Sequence, residues 1–188
     1  MTDEELVIAM SRGNQAAFEA FVHRYHAPLL GYLERMLRDR KKAEDVVQDT
    51  FLKLINQLKS KKIPDKVKPW LYQVATNQCR DYWKSSGYKS EKQILDNIPD
   101  QPDHEPSVVE LFERQEARKE FLEKLDTLSS TQREIVYLRF YQELKYQEIS
   151  ETLELPLGTV KSNLFHALKK LKVSLERKEE VSHARHRS

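Results

Sequence analysis

The chain has 188 residues, of which 39% are apolar and 33% charged, and its mean hydropathy of −0.73 is that of a hydrophilic protein. The apolar residues are still numerous enough to form a folded core, which excludes disorder of the whole chain. No apolar run approaches the roughly 20 residues of a membrane span, and the start lacks a basic segment ahead of an apolar one, so we expect a cytoplasmic protein. A single cysteine, Cys79, excludes an internal disulfide and a multi-thiolate zinc site, and the four glycines form no nucleotide-binding frame.

Charge is distributed unevenly along the chain. Residues 1–88 carry a net charge of +4, residues 89–116 a net charge of −5, and residues 117–188 a net charge of +3. Three of the seven prolines lie between Ser85 and Ser107, where apolar periodicity is weak. This predicts an N-terminal domain over 1–86, an acidic linker over 87–107, a C-terminal domain over 108–178, and a disordered basic tail over 179–188.

The first domain is predicted to be a bundle of helices. Gly13 and Asn14 suit the end of a short leading helix and the N-cap of the next. That next helix has apolar residues at steps of three and four from Phe18 to Leu37, and Pro28 is expected to kink or break it. A further helix covers AEDVVQDTFLKLINQL, and another is expected to start at Pro69 in KPWLYQVATNQCRDYW.

The second domain is predicted to contain a helix-turn-helix. A long helix is expected to end near Ser129, and Ser130 or Thr131 is expected to cap the following helix, TQREIVYLRFYQEL. Two shorter segments then follow, YQEISETL and LGTVKSNLFHALKKL, separated by the turn ELP. No strand-like alternation longer than about four residues occurs, so the fold class is all-α: two small helical domains joined by the acidic, proline-containing linker.

The second helix of that pair has a side that its apolar stripe does not explain. At about 100° per residue, Ser162, Phe165, His166 and Lys169 lie more than about 100° from the centre of the stripe. An exposed phenylalanine gains nothing in a purely structural helix, whereas in a major groove its ring can contact a thymine methyl. Lys161 and Lys169 can reach phosphate or guanine. The plainer alternative is an ordinary helical hairpin with one exposed aromatic residue.

Catalysis and metal binding find little support in the sequence. Glu19, His23 and His26 lie at i, i+4 and i+7 on one helix, but no second cluster accompanies them, so we interpret them as surface residues. No serine, histidine and aspartate arrangement and no cysteine and histidine frame occurs. Asp45 and Asp49 are better explained as a polar docking surface than as acid and base. We therefore expect no enzyme activity, no metal and no cofactor.

Over nearly its whole length the sequence resembles a bacterial RNA polymerase sigma factor of the extracytoplasmic-function (ECF) group. Four segments carry the resemblance, in the family's order: AFEAFVHRYHAPLLGYLERML, AEDVVQDTFLKLI, KPWLYQVATNQCRDY and LSSTQREIVYLRFYQELKYQEISETLELPLGTVKSNLFHALKKLK. The resemblance implies an initiation factor that binds core polymerase and directs it to promoters. It implies no catalytic residue, no cofactor and no small-molecule substrate.

The resemblance also assigns roles to individual residues. Asp45, Gln48 and Asp49 would dock on the clamp coiled coil of the polymerase β′ subunit. In the segment that reads the −10 element, Asn77 matches the position lining a pocket for a flipped base, and the basic loop LKSKKIPDKVK would form its rim with Lys61, Lys62 and Lys66. The candidate readers of the −35 element are Lys161, Ser162, Phe165, His166 and Lys169. His166 stands where many relatives have arginine, which leaves the preferred −35 sequence open.

The partners implied are core RNA polymerase, through the β′ clamp and the β flap, promoter DNA, and an anti-sigma factor, often membrane-bound. Two other functions remain open at this point. A stand-alone helix-turn-helix regulator would bind a palindrome as a dimer without polymerase. A helical adaptor would bind proteins only and would not contact DNA.

Overall fold

The structure is a computed structural model that describes residues 1–85 and 124–185, with side chains up to Val173 apart from that of Asp126. Every regular element in these ranges is helical, which confirms the all-α prediction. The helices are α1 (Asp3–Ser11), α2 (Gln15–Leu37), α3 (Arg40–Lys59), α4 (Val67–Ser85), α5 (Ser130–Phe140), α6 (Tyr146–Leu153) and α7 (Leu157–Arg185), and a 3₁₀ turn covers Leu125–Thr127.

The described chain divides into two compact units. One unit contains residues 1–85 together with 147–155, and the other contains residues 124–146 and 156–185. The short segment 147–155, which the sequence places in the C-terminal domain, therefore clusters with the first unit. The predicted linker over 87–107 and the start of the long helix expected after it lie outside the described residues.

Side-chain caps set the boundaries of the first helices. Thr2 and Glu5 form a reciprocal capping box at the start of α1, which satisfies two backbone N–H groups that have no partner within the helix. Gly13 follows α1 with φ of 83°, in the left-handed region that glycine tolerates, and the Asn14 side chain accepts a hydrogen bond from Ala17 N at 3.0 Å. The predicted boundary at Gly13 and Asn14 is confirmed.

Pro28 does not break α2, which runs without interruption from Gln15 to Leu37. The expectation of a break was wrong because Pro28 itself faces solvent, where the carbonyl that loses its partner can be hydrated, while residues on both sides of it lie in the core. These buried residues are Phe21, Tyr25, Leu29, Tyr32 and Leu33. Core packing on one face therefore holds the helix through an unfavourable position on the other.

Helices α3 and α4 complete the first bundle. Asp39 caps α3 by accepting from Lys42 N at 3.0 Å, and Val47, Phe51 and Leu54 are buried on one face of the helix. Helix α4 begins at Val67, two residues before the predicted start, because Pro69 is accommodated within the first turn, where no intrahelical N–H bond is required. Cys79 is 1% exposed on its inner face.

In the second unit the cap of α5 is Ser129 rather than Ser130 or Thr131. Ser129 and Gln132 form a capping box, with the Ser129 hydroxyl accepting from Gln132 N at 3.3 Å. Ser129 is the last non-helical residue before α5, so its side chain is the one placed to accept from the free N–H groups of the first turn. Leu125 and Leu128, which precede the cap, are buried.

The predicted order of helix, short turn and helix is confirmed by α6 and α7. Helix α6 ends at Leu153, Glu154 adopts φ of 56°, and α7 starts at Leu157. Helix α7 continues to Arg185, so residues 179–185 of the predicted disordered tail are helical. The helix can extend this far because residues 157–185 contain no proline and their one glycine, Gly158, lies in the first turn. Residues 186–188 lie outside the described range.

Candidate functional site

The predicted docking residues share one exposed face of α3. Asp45, Gln48 and Asp49 are all exposed, while Val47 and Phe51 are buried between them and the rest of the bundle. The apolar period of the helix therefore presents two carboxylates and an amide together to solvent. Such a surface matches a partner that offers basic and polar groups.

Leu52 belongs to the same face and was not predicted. It is 55% exposed, and at about 100° per residue it lies within about 20° of Asp45 around the helix axis. A helical projection of the sequence contains this information, but leucine in an apolar-rich helix is ordinarily assigned to the core. Its position gives the acidic face an apolar centre, an arrangement typical of protein interfaces.

The basic loop between α3 and α4 is exposed and locally ordered. Lys61 has φ of 57°, and its N–H donates to Leu58 O at 2.9 Å, while Lys62 N donates to Gln57 O at 3.1 Å. Lys61, Lys62 and Lys66 are all exposed, and Lys66 Nζ lies 3.8 Å from a carboxylate oxygen of Glu151. The loop is thus a cationic surface on a defined backbone, suited to phosphate contacts.

Asn77 lies on α4, ten residues beyond Val67, which at 1.5 Å per residue is about 15 Å along the helix axis. Its side chain is half-buried, whereas Ala75 and Cys79 on the opposite side of the helix are buried in the core. Asn77 therefore faces outward from the bundle, as a base-contacting residue must. Its position places it well apart from Lys66 along the helix axis.

One predicted −35 reader is not exposed. Ser162 is 5% exposed, and its hydroxyl donates to Gly158 O at 2.8 Å. The expectation that it faces solvent was wrong because a short hydroxyl side chain bonds to the carbonyl one turn back, and because the angle around a helix does not determine what packs against it. In this structure Ser162 presents no free hydroxyl to a base.

The other α7 candidates are at least partly accessible. Lys161 and Lys169 are exposed, whereas Phe165 and His166 are half-buried, with ring centroids 5.6 Å apart and the two planes nearly perpendicular. His166 Nε2 is buried and has no hydrogen-bond partner among the residues that the structure describes. The accessible reading surface of α7 therefore consists mainly of two lysines and the Phe165 ring.

The described part of the chain offers no obvious place for a metal. No three histidine, cysteine, aspartate or glutamate side chains of the two described segments lie close enough together to hold a metal ion. Glu19, His23 and His26 instead line an open groove on α2 together with Phe18, Val22 and Ala27. Within the same segments, no helix has the length and apolar character needed to cross a bilayer.

Two family models match the chain in sequence. The model described as Sigma-70 region 2 matches residues 21–87, which include α3, the basic loop and Asn77. The model described as Sigma-70, region 4 matches residues 118–171, which include α5, α6 and the start of α7. The two matches fall on the two predicted domains, in that order.

Similar proteins cover almost the whole chain. The RNA polymerase sigma-H factor of Pseudomonas aeruginosa is 28% identical over 181 residues, covering 93% of this chain and 94% of that protein. The ECF RNA polymerase sigma-E factor of Escherichia coli strain K12 is 27% identical over 174 residues, covering 89% of this chain and 91% of that protein.

Two solved structures share the fold. CnrH, in complex with the cytosolic domain of CnrY, matches with a TM-score of 0.64 at 24% identity and covers 93% of this chain and 97% of its own. The sigma factor RpoE from Bartonella quintana, in complex with the anti-sigma factor NepR, matches with a TM-score of 0.63 at 22% identity and covers 85% of this chain and 96% of its own.

Proposed function

We propose that this chain, which belongs to the sigma-70 family in its extracytoplasmic-function group, directs RNA polymerase to a promoter through two reading surfaces. As a member of that family it is a transcription initiation factor, and the chemistry of RNA synthesis belongs to the polymerase. The finer assignment is that the first domain docks on core enzyme and reads the −10 element through a flipped base, while α7 reads the −35 duplex.

The observation that carries the proposal is the order of the two family matches, each with an exposed polar surface inside it. The region 2 match contains the acidic face of α3 and the outward-facing Asn77. The region 4 match contains the exposed Lys161 and Lys169 on either side of Phe165. One surface therefore suits a basic protein partner and another suits DNA.

Flipping a base is favourable only when a pocket compensates for the stacking that the base gives up. Unstacking costs a few kcal/mol, which hydrogen bonds to the base edge and enclosure must recover. The Asn77 amide can both donate and accept, so it can pair with the edge of any base. The lysines of the loop add attraction to the neighbouring phosphates.

The direct test is run-off transcription with core polymerase, this chain and genomic promoter fragments. We expect discrete transcripts from a small subset of fragments, none of which core enzyme produces alone. Equal selectivity with and without the chain contradicts the proposal. Specific binding of a palindrome by a dimer of the isolated chain, seen by footprinting and sedimentation, would favour the stand-alone regulator.

The docking face is tested by Asp49→Lys. Reversing this charge places a cation opposite basic groups of the clamp, so we expect at least a roughly tenfold loss of affinity for core polymerase. Glu19→Lys is the matched control because it makes the same charge change at an exposed position of α2. Affinity that falls equally in both variants, measured by fluorescence titration, rejects the docking assignment.

The −35 reader is tested by Phe165→Ala and Lys161→Ala. Each is expected to reduce run-off transcription about tenfold, since one good base contact contributes about 1–3 kcal/mol, while binding to core polymerase stays intact. Val173→Ala, which trims an exposed apolar residue further along α7, is the control. Unchanged transcription in both test variants removes α7 from promoter reading.

The proposal includes a regulatory partner. ECF sigma factors are commonly held inactive by an anti-sigma protein, and family membership supports the same for this chain. An excess of such a protein is expected to abolish run-off transcription by preventing the association with core polymerase.

A further inference from the structure

The two chain neighbours of Asn77 are tied to different helices. The Thr76 hydroxyl and the Tyr32 hydroxyl of α2 lie 2.7 Å apart in a hydrogen bond, and both residues are 0% exposed. On the other side, Gln78 Nε2 donates to Thr50 Oγ1 of α3 at 2.8 Å. Asn77 thus stands between two anchored residues.

This arrangement fixes the rotation of α4 about its own axis. At about 100° per residue, Thr76 and Gln78 lie about 100° to either side of Asn77, and the buried Ala75 and Cys79 lie behind it. A rotation of α4 in either direction must stretch one of the two bonds. The pair therefore holds Asn77 at one angle relative to the bundle.

Thr50 is placed to connect two functional surfaces. It is 0% exposed, it directly follows Asp49 in α3, and its hydroxyl donates to Val46 O at 2.7 Å while accepting from Gln78. A hydroxyl has one proton to donate and lone pairs to accept, so this side chain uses both roles at once. Serine can replace it in this role, but valine, which has the same shape, cannot.

We propose that Thr50 and Gln78 are positioning residues that hold Asn77 at the angle required to receive the flipped base. The inference rests on the proposed function, because it assumes that Asn77 contacts a base. Pockets that recognise a reacting or extracted group tolerate little displacement. A shift of about 1 Å can lower the activity of such a site by up to about a hundredfold. Positioning residues of this kind act through Asn77 and do not touch DNA.

The test uses holoenzyme assembled from core polymerase and the full chain. The DNA probe is a bubble template carrying the −10 element of a promoter that the run-off assay selects, either intact or with an abasic site at one −10 position. The measured quantity is the ratio of the two dissociation constants, which reports the contribution of the base. The Asn77→Ala variant shows at which −10 position the base binds in the pocket, because the ratio falls at that position in this variant.

At that position Thr50→Val and Gln78→Met are each expected to reduce the ratio about tenfold. Thr50→Ser, which keeps the hydroxyl, is expected to stay within about twofold of the parent. Because both substitutions break the same bond, the double variant is expected to be no worse than either single one. Affinity for core polymerase is expected to change little, since Asp49 is untouched. The melting temperature is expected to fall by about a few degrees, the effect of one lost buried hydrogen bond.

Three results would overturn this inference and leave the base pocket of the proposed function standing. One is an unchanged ratio in Thr50→Val and Gln78→Met when Asn77→Ala lowers it. Another is a parallel fall of the ratio, core affinity and melting temperature, which indicates a structural role only. The third is a Thr50→Ser variant as defective as Thr50→Val. If Asn77→Ala changes the ratio at no position, the base pocket of the proposed function fails, and this inference fails with it.

Discussion

A small polar cluster joins the start of the chain to α2. The Tyr25 hydroxyl donates a hydrogen bond to the Asp3 carboxylate, and Arg24 Nη1 lies 2.6 Å from the same carboxylate. Burial, followed by the hydrogen bond to Asp3, raises the pKa of Tyr25 above its ordinary value of 10.0. The phenol is therefore protonated in the folded chain at a pH where the unfolded chain has lost the proton.

This predicts a specific alkaline effect. Below about pH 10 the phenol is protonated in both states and its stabilising contribution is complete; above that pH only the unfolded chain releases the proton, so the free energy of unfolding falls as pH rises. Tyr25→Phe is expected to cost about 1 kcal/mol near neutral pH. Above about pH 10 it should lose less stability with rising pH than the parent.

Urea denaturation followed by circular dichroism at several pH values measures both effects. Tyr82→Phe is the control because it removes a hydroxyl of the same bundle outside this cluster. The substitution keeps the ring, and with it the contact to Lys42 Nζ, which lies 5.0 Å from the ring centroid. Equal pH dependence in the parent and in Tyr25→Phe would show that the cluster does not shift the titration.

For single residues, the sequence predicts which side of a helix a side chain lies on but not what that side chain contacts. The outward positions of Asp45, Gln48 and Asp49 follow from the apolar period of α3, and the structure confirms their exposure. The burial of Ser162 and the bond between Thr50 and Gln78 do not follow, because each depends on packing or on the distance between groups from different parts of the chain. A helical period gives direction around one axis but no distance between helices.

At the scale of elements, α2 shows that tertiary packing outweighs local propensity. The helix continues through Pro28 because buried aromatic and aliphatic residues lie on both sides of it. Caps were easier to predict where one residue stood out, as at Asn14, than where Ser129, Ser130 and Thr131 compete for the role. The type of each element was therefore better determined by sequence than its boundary.

Pro28→Ala should consequently stabilise the protein. The substitution restores a backbone N–H inside α2 and removes the steric conflict with the preceding turn. The stability gained in this way exceeds the stability lost because alanine raises the conformational entropy of the unfolded chain. We expect a gain of about 1–2 kcal/mol, measured as a higher urea midpoint with an unchanged slope. Ala27→Gly, at the neighbouring exposed position, should instead destabilise by about 1 kcal/mol. A lower midpoint for Pro28→Ala would show that the proline is favourable where it stands.

At the scale of the whole molecule, the two proposed reading surfaces are small and belong to separate domains. A single helix-turn-helix with few basic residues binds duplex DNA weakly at physiological salt. When core polymerase holds both domains near one promoter, the second contact becomes intramolecular and its effective concentration rises. Selectivity is then a property of the assembly rather than of either domain.

Accordingly, the isolated chain should prefer a promoter over random duplex by less than about tenfold, whereas holoenzyme should prefer it by more than about a hundredfold. Fluorescence anisotropy at about 150 mM salt measures both preferences on the same labelled DNA. A tight and specific complex with the isolated chain would contradict the tethering argument, whatever the outcome with polymerase.

The burial of Cys79 has a practical consequence for following the molecule at work. It is the only thiol of the chain and is almost completely shielded in α4, so maleimide dyes should react slowly with it while the protein is folded. A surface thiol introduced by Lys62→Cys can therefore be labelled selectively on an otherwise native background. The basic loop that precedes α4 then becomes accessible to single-molecule fluorescence without removing any natural residue from the core.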